Sequence, residues 1–147
     1  METLLISACL CGIPCRYDGK YAANQLTDDF IKQISRYYHL VPICPEQLAG
    51  LPTPRKSVEI QDGDGFHVLK KLATVNSRDG EDFTSYLIRG AELALKIARI
   101  VKASKMITQK NSPSCSSEEI YDGSFSSTLK KGYGTCSAYL ELKGIQL

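Results

Sequence analysis

The six cysteines of this 147-residue chain are its most chemically informative feature, because their placement is uneven. Cys9, Cys11 and Cys15 share one loop, whereas Cys44, Cys115 and Cys136 stand singly. A structural zinc knuckle needs two closely spaced cysteine pairs, which this arrangement does not supply. Thiolates otherwise suit zinc and iron-sulfur clusters alike. Three ligands from three separate segments leave one coordination position open, as substrate chemistry requires. Free cysteine is also among the most buried residue types and often packs as a small hydrophobe. Cys11 and Cys136 read that way: the first has two cysteines competing for its loop, and the second falls in an apolar helical stretch. For Cys9, Cys44 and Cys115, a shared metal site and ordinary buried thiols both fit the residue types. Cys15 is left open.

The elements around these thiols favour convergence. Thr3 to Ala8 is a short apolar run ending in the cysteine-rich loop, and His39 to Ile43 is a second such run ending at Cys44. Met106 to Thr108 is a third, leading toward Cys115. Helical spacing appears from Asp28 to about Tyr38, with Thr27 as its cap, and most clearly from Glu81 to Ala103. Asp62-Gly63-Asp64-Gly65 reads as the turn of a small hairpin, or as an extended loop, between Val58 and Leu69, and the tail as a helix from Thr135 to Lys143 followed by a short strand. Strand and helix thus alternate around a mostly parallel sheet covered on both faces, an α/β arrangement. Ligands of such sheets sit beyond the carboxyl ends of the strands, where Cys9, Cys44 and Cys115 all fall.

The length suits a single domain, residues 1–147, that needs no disulfides to stay folded. An apolar fraction of 43% with 23% charged residues excludes disorder and rod-like folds. A net charge of +2 with no long basic run gives no reason to expect binding to long nucleic acid. The amino terminus has neither a basic start nor a long apolar stretch, so the expectation is a cytoplasmic chain with reduced cysteines and no membrane partner.

Five blocks carry a resemblance. Cys9-Leu10-Cys11-Gly12-Ile13-Pro14-Cys15-Arg16-Tyr17-Asp18-Gly19 is the first and Val41-Pro42-Ile43-Cys44-Pro45-Glu46 the second. Leu51-Pro52-Thr53-Pro54-Arg55 with Val58-Glu59-Ile60, then Ser112-Pro113-Ser114-Cys115, then Ile120-Tyr121-Asp122-Gly123-Ser124-Phe125 complete the set. In this order, over essentially the whole chain, they resemble the small bacterial family catalogued as domain of unknown function 523, whose members include thiouracil desulfidases. The resemblance implies a Rossmann-like three-layer sandwich and a 4Fe-4S cluster on three cysteines, with the fourth iron accepting sulfur from a thiocarbonyl substrate. Carried onto this chain, the ligands are Cys9, Cys44 and Cys115. An aliphatic residue is usual in the family where Cys11 stands, and valine near Cys136. Ser116 departs from a frequent glycine.

The activity so implied replaces C=S by C=O on a thiolated pyrimidine without net redox change. It needs a water nucleophile, a proton shuttle and a destination for sulfide, which includes a possible sulfur acceptor. Glu46, two residues beyond Cys44, is the expected general base, although most glutamates are simply exposed. Ser112 is the expected donor to the ring; a turn or cap role is its ordinary alternative. Arg16, Arg55 and Lys110 are expected to hold an anionic ligand or balance cluster charge, against solvated charges or salt bridges to Asp18 or Glu59. Asp122 and Tyr121 are expected to close the pocket, unless Asp122-Gly123 only makes a turn. Two rivals stand beside the desulfidase: a metal- or cluster-binding carrier or sensor without turnover, and a hydrolase with Cys15 as nucleophile.

Overall fold

A computed structural model describes residues 1–147. Strand β1 (Glu2–Ser7) lies between two parallel neighbours, β2 (Tyr38–Ile43) and β5 (Lys105–Ile107). The remaining strands form two antiparallel pairs outside this sheet: β3 (Val58–Gln61) with β4 (Thr74–Ser77), and β6 (Glu119–Tyr121) with β7 (Leu129–Lys131). The helices are α1 (Asp28–Ile34), α2 (Pro45–Leu48), α3 (Gly65–Leu69), α4 (Thr84–Val101) and α5 (Thr135–Leu142). No helix is long and apolar enough to cross a membrane.

Alternation along β1 divides the interior in two. Leu5 points toward α4 and α5 and packs with Met106, Leu95, Ala98, Leu140 and Cys115. Ile6 faces the other way, into a cluster with Ala8, Cys9, Leu10, Cys15 and Ala22. One face of the sheet is therefore covered by helices and the other mainly by the Ala8–Leu26 loop. A third cluster, built on Ile60, Val75, Leu87 and Ile120, ties both hairpins to α4.

Several expectations needed correction. Asp62 to Gly65 is not a hairpin turn: Asp64 caps α3, accepting from the Phe66 N–H while the His67 ring accepts the Asp64 N–H, and β3 pairs instead with β4. The same Asp-Gly chemistry that favours a turn also favours a helix start. Thr27 does cap α1, accepting from the Phe30 N–H at 3.1 Å. That helix ends at Ile34, and Tyr38 already belongs to β2. The tail strand reduces to one parallel bridge, Lys105 to Gln146.

Two glycines govern the approach of helices to the cysteine loops. At Gly90 in α4, a Cβ would lie 2.3 Å from the Pro45 carbonyl oxygen, so only glycine lets the Cys44–Glu46 segment seat on that helix. At Gly134, before α5, a Cβ would meet the Ser114 carbonyl at 2.5 Å. The first N–H groups of α5 then bond the loop that carries Cys115: Thr135 to the Pro113 carbonyl at 2.8 Å and Ser137 to that of Ser114 at 3.1 Å.

Candidate active site

Cys9 follows β1 in a 3-10 turn (Ala8–Cys11), Cys44 follows β2 at the N-cap position of α2, and Cys115 lies in the loop after β5. Because the three strands are parallel neighbours, all three thiols reach one crevice at their carboxyl ends. The crevice, about 270 Å³, is also lined by Cys15, Glu46 and Ser112. Cys15 is 2% exposed and lies against both Cys9 and Cys44, so four thiols share the site. Cys11 lies outside this crevice, and Cys136 is fully buried in the helix-side core. Burial first, and then the nearby Cys115 and Cys44, push the Cys136 thiol well up from its ordinary range.

Burial and thiol contacts together hold Cys15, Cys44 and Cys115 protonated. Cys15 gains from its contact with Cys44, yet the Cys9 thiol beside it and burial push it up to about 11. Cys44 is raised still further, by its hydrogen bond with Cys15 and then by burial. Burial pushes Cys115 up to about 12, against the lowering effect of the Ser7 and Ser114 hydroxyls. Cys15, Cys44 and Cys115 resist losing their protons even with Arg16, Arg55 and Lys110 lining the same crevice, and a bound cationic metal centre would stabilise their thiolates.

Glu46 and Arg55 form a buried ion pair with side chains 13% and 6% exposed. Arg55 Nε donates to Glu46 Oε2 at 2.7 Å, and its other nitrogens reach the Cys15 carbonyl at 2.9 Å, the Thr53 hydroxyl at 3.1 Å and the Pro52 carbonyl at 3.3 Å. Arg55 also lines the crevice, where its Nη2 lies 4.0 Å from the Cys44 sulfur. Both of its contacts to Glu46 fall on Oε2, which leaves Oε1 without a protein partner.

Ser112 lines the crevice and its Oγ accepts from the Ser114 and Cys115 N–H groups at 3.1 and 3.0 Å. It therefore shapes the Cys115 turn while its own proton stays free. Arg16 and Lys110 line the crevice without a carboxylate partner; the Arg16 guanidinium lies 5.6 Å from the Tyr17 ring centre. The salt bridges expected as their alternative do not form, because Asp18 accepts from the Lys20 N–H and Glu59 accepts from those of Gly123 and Phe125. Asp122 is corrected: it lies outside the crevice and its Oδ1 accepts from the Ser124 N–H at 2.9 Å, the turn role.

Three comparisons bear on this arrangement. The model of the 2-thiouracil desulfurase family matches residues 4–147. This chain belongs to that family. Its Bacillus subtilis (strain 168) relative YbbK is 39% identical over 144 residues, covering 98% of this chain and 93% of YbbK. The solved structure of TudS, a [4Fe-4S]-dependent thiouracil desulfidase, superposes with a TM-score of 0.86 at 34% identity, over 99% of this chain and 89% of that one. Within the desulfurase family fold, sequence reasoning overlooked the Glu46–Arg55 pairing and the hydroxyls of Ser7 and Ser114 beside Cys115. Ser7 carries a local signal, since it ends the strand that delivers Cys9. The pairing carries none, because it depends on how two irregular loops fold over one another.

Proposed function

We propose that this protein is a 4Fe-4S-dependent thiouracil desulfidase, acting on thiouracil or a related thionucleobase or thionucleoside, with the cluster held by Cys9, Cys44 and Cys115. The observation that carries the reading is the meeting of these three thiols, distant in sequence, at the carboxyl ends of adjacent parallel strands. Membership of the desulfurase family and likeness to TudS support it. The donor set fits the group in a further respect. Thiolate sulfurs are the ligands that iron-sulfur clusters take, and four cysteines line this one crevice.

Bound there, the cluster supplies an iron with an open position that accepts the substrate's sulfur. The overall change is thiocarbonyl plus water to carbonyl plus hydrogen sulfide, with no electron gained or lost. Glu46 Oε1 takes a proton from the attacking water. The Arg55 guanidinium fixes Oε2 and so holds the carboxylate in place for the water. Ser112, whose oxygen is held by two backbone N–H groups, turns its proton toward the ring. Arg16 and Lys110 hold an anionic part of the substrate or balance cluster charge.

The test is anaerobic incubation of iron-reconstituted protein with 2-thiouracil and 4-thiouracil, following loss of thiocarbonyl absorbance and release of sulfide. Turnover is expected with at least one. Glu46→Gln should fall by roughly 10²- to 10⁴-fold, the usual worth of a general base. A brown, iron-replete protein that releases no sulfide from either compound would favour the carrier reading.

A further inference from the structure

Two buried hydroxyls at the site have protons that the protein itself does not use. Ser114 is 1% exposed, lines the crevice, and its Oγ has no hydrogen-bond partner. Ser7 is 2% exposed; its Oγ accepts from the Gln109 N–H at 2.9 Å, which leaves its O–H free to donate. Both serines line the crevice together with Cys115, and both hydroxyls act to lower its thiol's pKa against burial. They arrive from different elements, Ser7 from the end of β1 and Ser114 from the cysteine's own loop.

Buried hydroxyls are normally satisfied, and an exception calls for a reason. A neutral thiol is a weak acceptor, but a thiolate bound to iron offers sulfur lone pairs and negative charge, the acceptor these groups lack. We propose that Ser7 and Ser114 are positioning residues for Cys115: with the cluster bound, their hydroxyls donate to its thiolate and draw electron density away from the iron it holds. This rests on the reading of Cys115 as a cluster ligand. Hydrogen bonds to ligand sulfur raise the reduction potential of an iron-sulfur centre and orient the ligand. Here they also make the iron a better acceptor for sulfur.

The experiment is a potentiometric titration, under anaerobic conditions, of iron-replete wild type, Ser114→Ala, Ser7→Ala and the double variant, with iron per chain measured on each sample. The expected result is unchanged iron content with a midpoint potential that moves downward in each single variant and further in the double. Ser114→Ala carries the decision if Ser7→Ala fails to fold, because the Ser114 hydroxyl has no other partner to lose. In the wild type, the reduced cluster should also show exchangeable proton couplings by electron-nuclear double resonance that weaken in D2O and diminish in Ser114→Ala. An unmoved potential in iron-replete Ser114→Ala, or unaltered couplings, overturns the proposal and leaves the desulfidase reading intact. Wild type that takes up no iron overturns both.

Discussion

Arg55→Ala tests the network behind the crevice most directly. The guanidinium and the Glu46 carboxylate are 6% and 13% exposed, so removing the cation strands a carboxylate that water barely reaches. It also strands the Cys15 and Pro52 carbonyls. Breaking a buried pair from one side costs about 3–5 kcal/mol, against about 0–1 kcal/mol for an exposed pair. Because all these contacts share one group, their losses do not add, and a total of about 3–5 kcal/mol is expected. Arg55→Lys should fall between, since one ammonium cannot span Glu46, Thr53 and Cys15 together. The assay is urea denaturation of iron-free, reduced chain, followed by circular dichroism, for wild type, Arg55→Ala, Glu46→Gln and the double variant. In the Glu46→Gln background Arg55→Ala should cost less, giving a coupling of about 1–3 kcal/mol. A loss below about 1 kcal/mol, or no coupling, would refute the reasoning, because the pair would then behave like a solvated one.

Further outcomes follow from the same geometry. Gly90→Ala forces a methyl to 2.3 Å from the Pro45 oxygen, so it should cost about 1–3 kcal/mol and lower iron per chain by displacing Cys44; full iron with wild-type stability would contradict this. Cys9→Ser, Cys44→Ser and Cys115→Ser should each lose iron and brown colour, whereas Cys11→Ser, Cys15→Ser and Cys136→Val should keep both. If Cys15→Ser lost the iron and Cys9→Ser kept it, the ligand assignment would be wrong. The cluster-free chain should weaken in alkali. Cys115 and Cys136 have folded-state values above their ordinary 9.0, so their contribution is intact below that pH and drains away as pH rises toward about 12 for Cys115. The slope is about 1.4 kcal/mol per pH unit per thiol, and Cys136→Val should flatten part of it in denaturation curves at pH 8, 9 and 10.

The parallel sheet and its crevice were legible because β1, β2 and β5 are short apolar runs that each feed a loop, and β1 shows both cores through Leu5 and Ile6. What escaped the sequence was governed by contacts without a local signature. β4 is Thr74-Val75-Asn76-Ser77, with too few apolar residues to announce a strand, and its pairing with β3 is fixed by Val75 meeting Ile60 in the third core. β6 and β7 have three residues each, too few for a period to register. The position of Arg55 beside a cysteine block is visible in sequence, while the direction of its guanidinium, toward Glu46 and the Cys15 carbonyl, is not.

The division of the interior also explains how loop cysteines can be held to the tolerance a cluster needs. Cys9 and Cys15 pack in the cluster beneath the Ala8–Leu26 loop, with Cys44 at its edge, whereas Cys115 belongs to the cluster under α4 and α5. The proposed ligands therefore come from opposite faces of the sheet, and β1, buried between them, is the spacer. On one side the Cys115 turn is clamped by the N–H groups that start α5; on the other, Arg55 bolts the Cys15 carbonyl to Glu46. Neither clamp is within the cysteine loops alone. A core substitution such as Leu95→Ala, in the cluster that also holds Cys115, should then loosen Cys115 relative to Cys9 and reduce iron retention beyond what its about 2–5 kcal/mol of lost stability predicts.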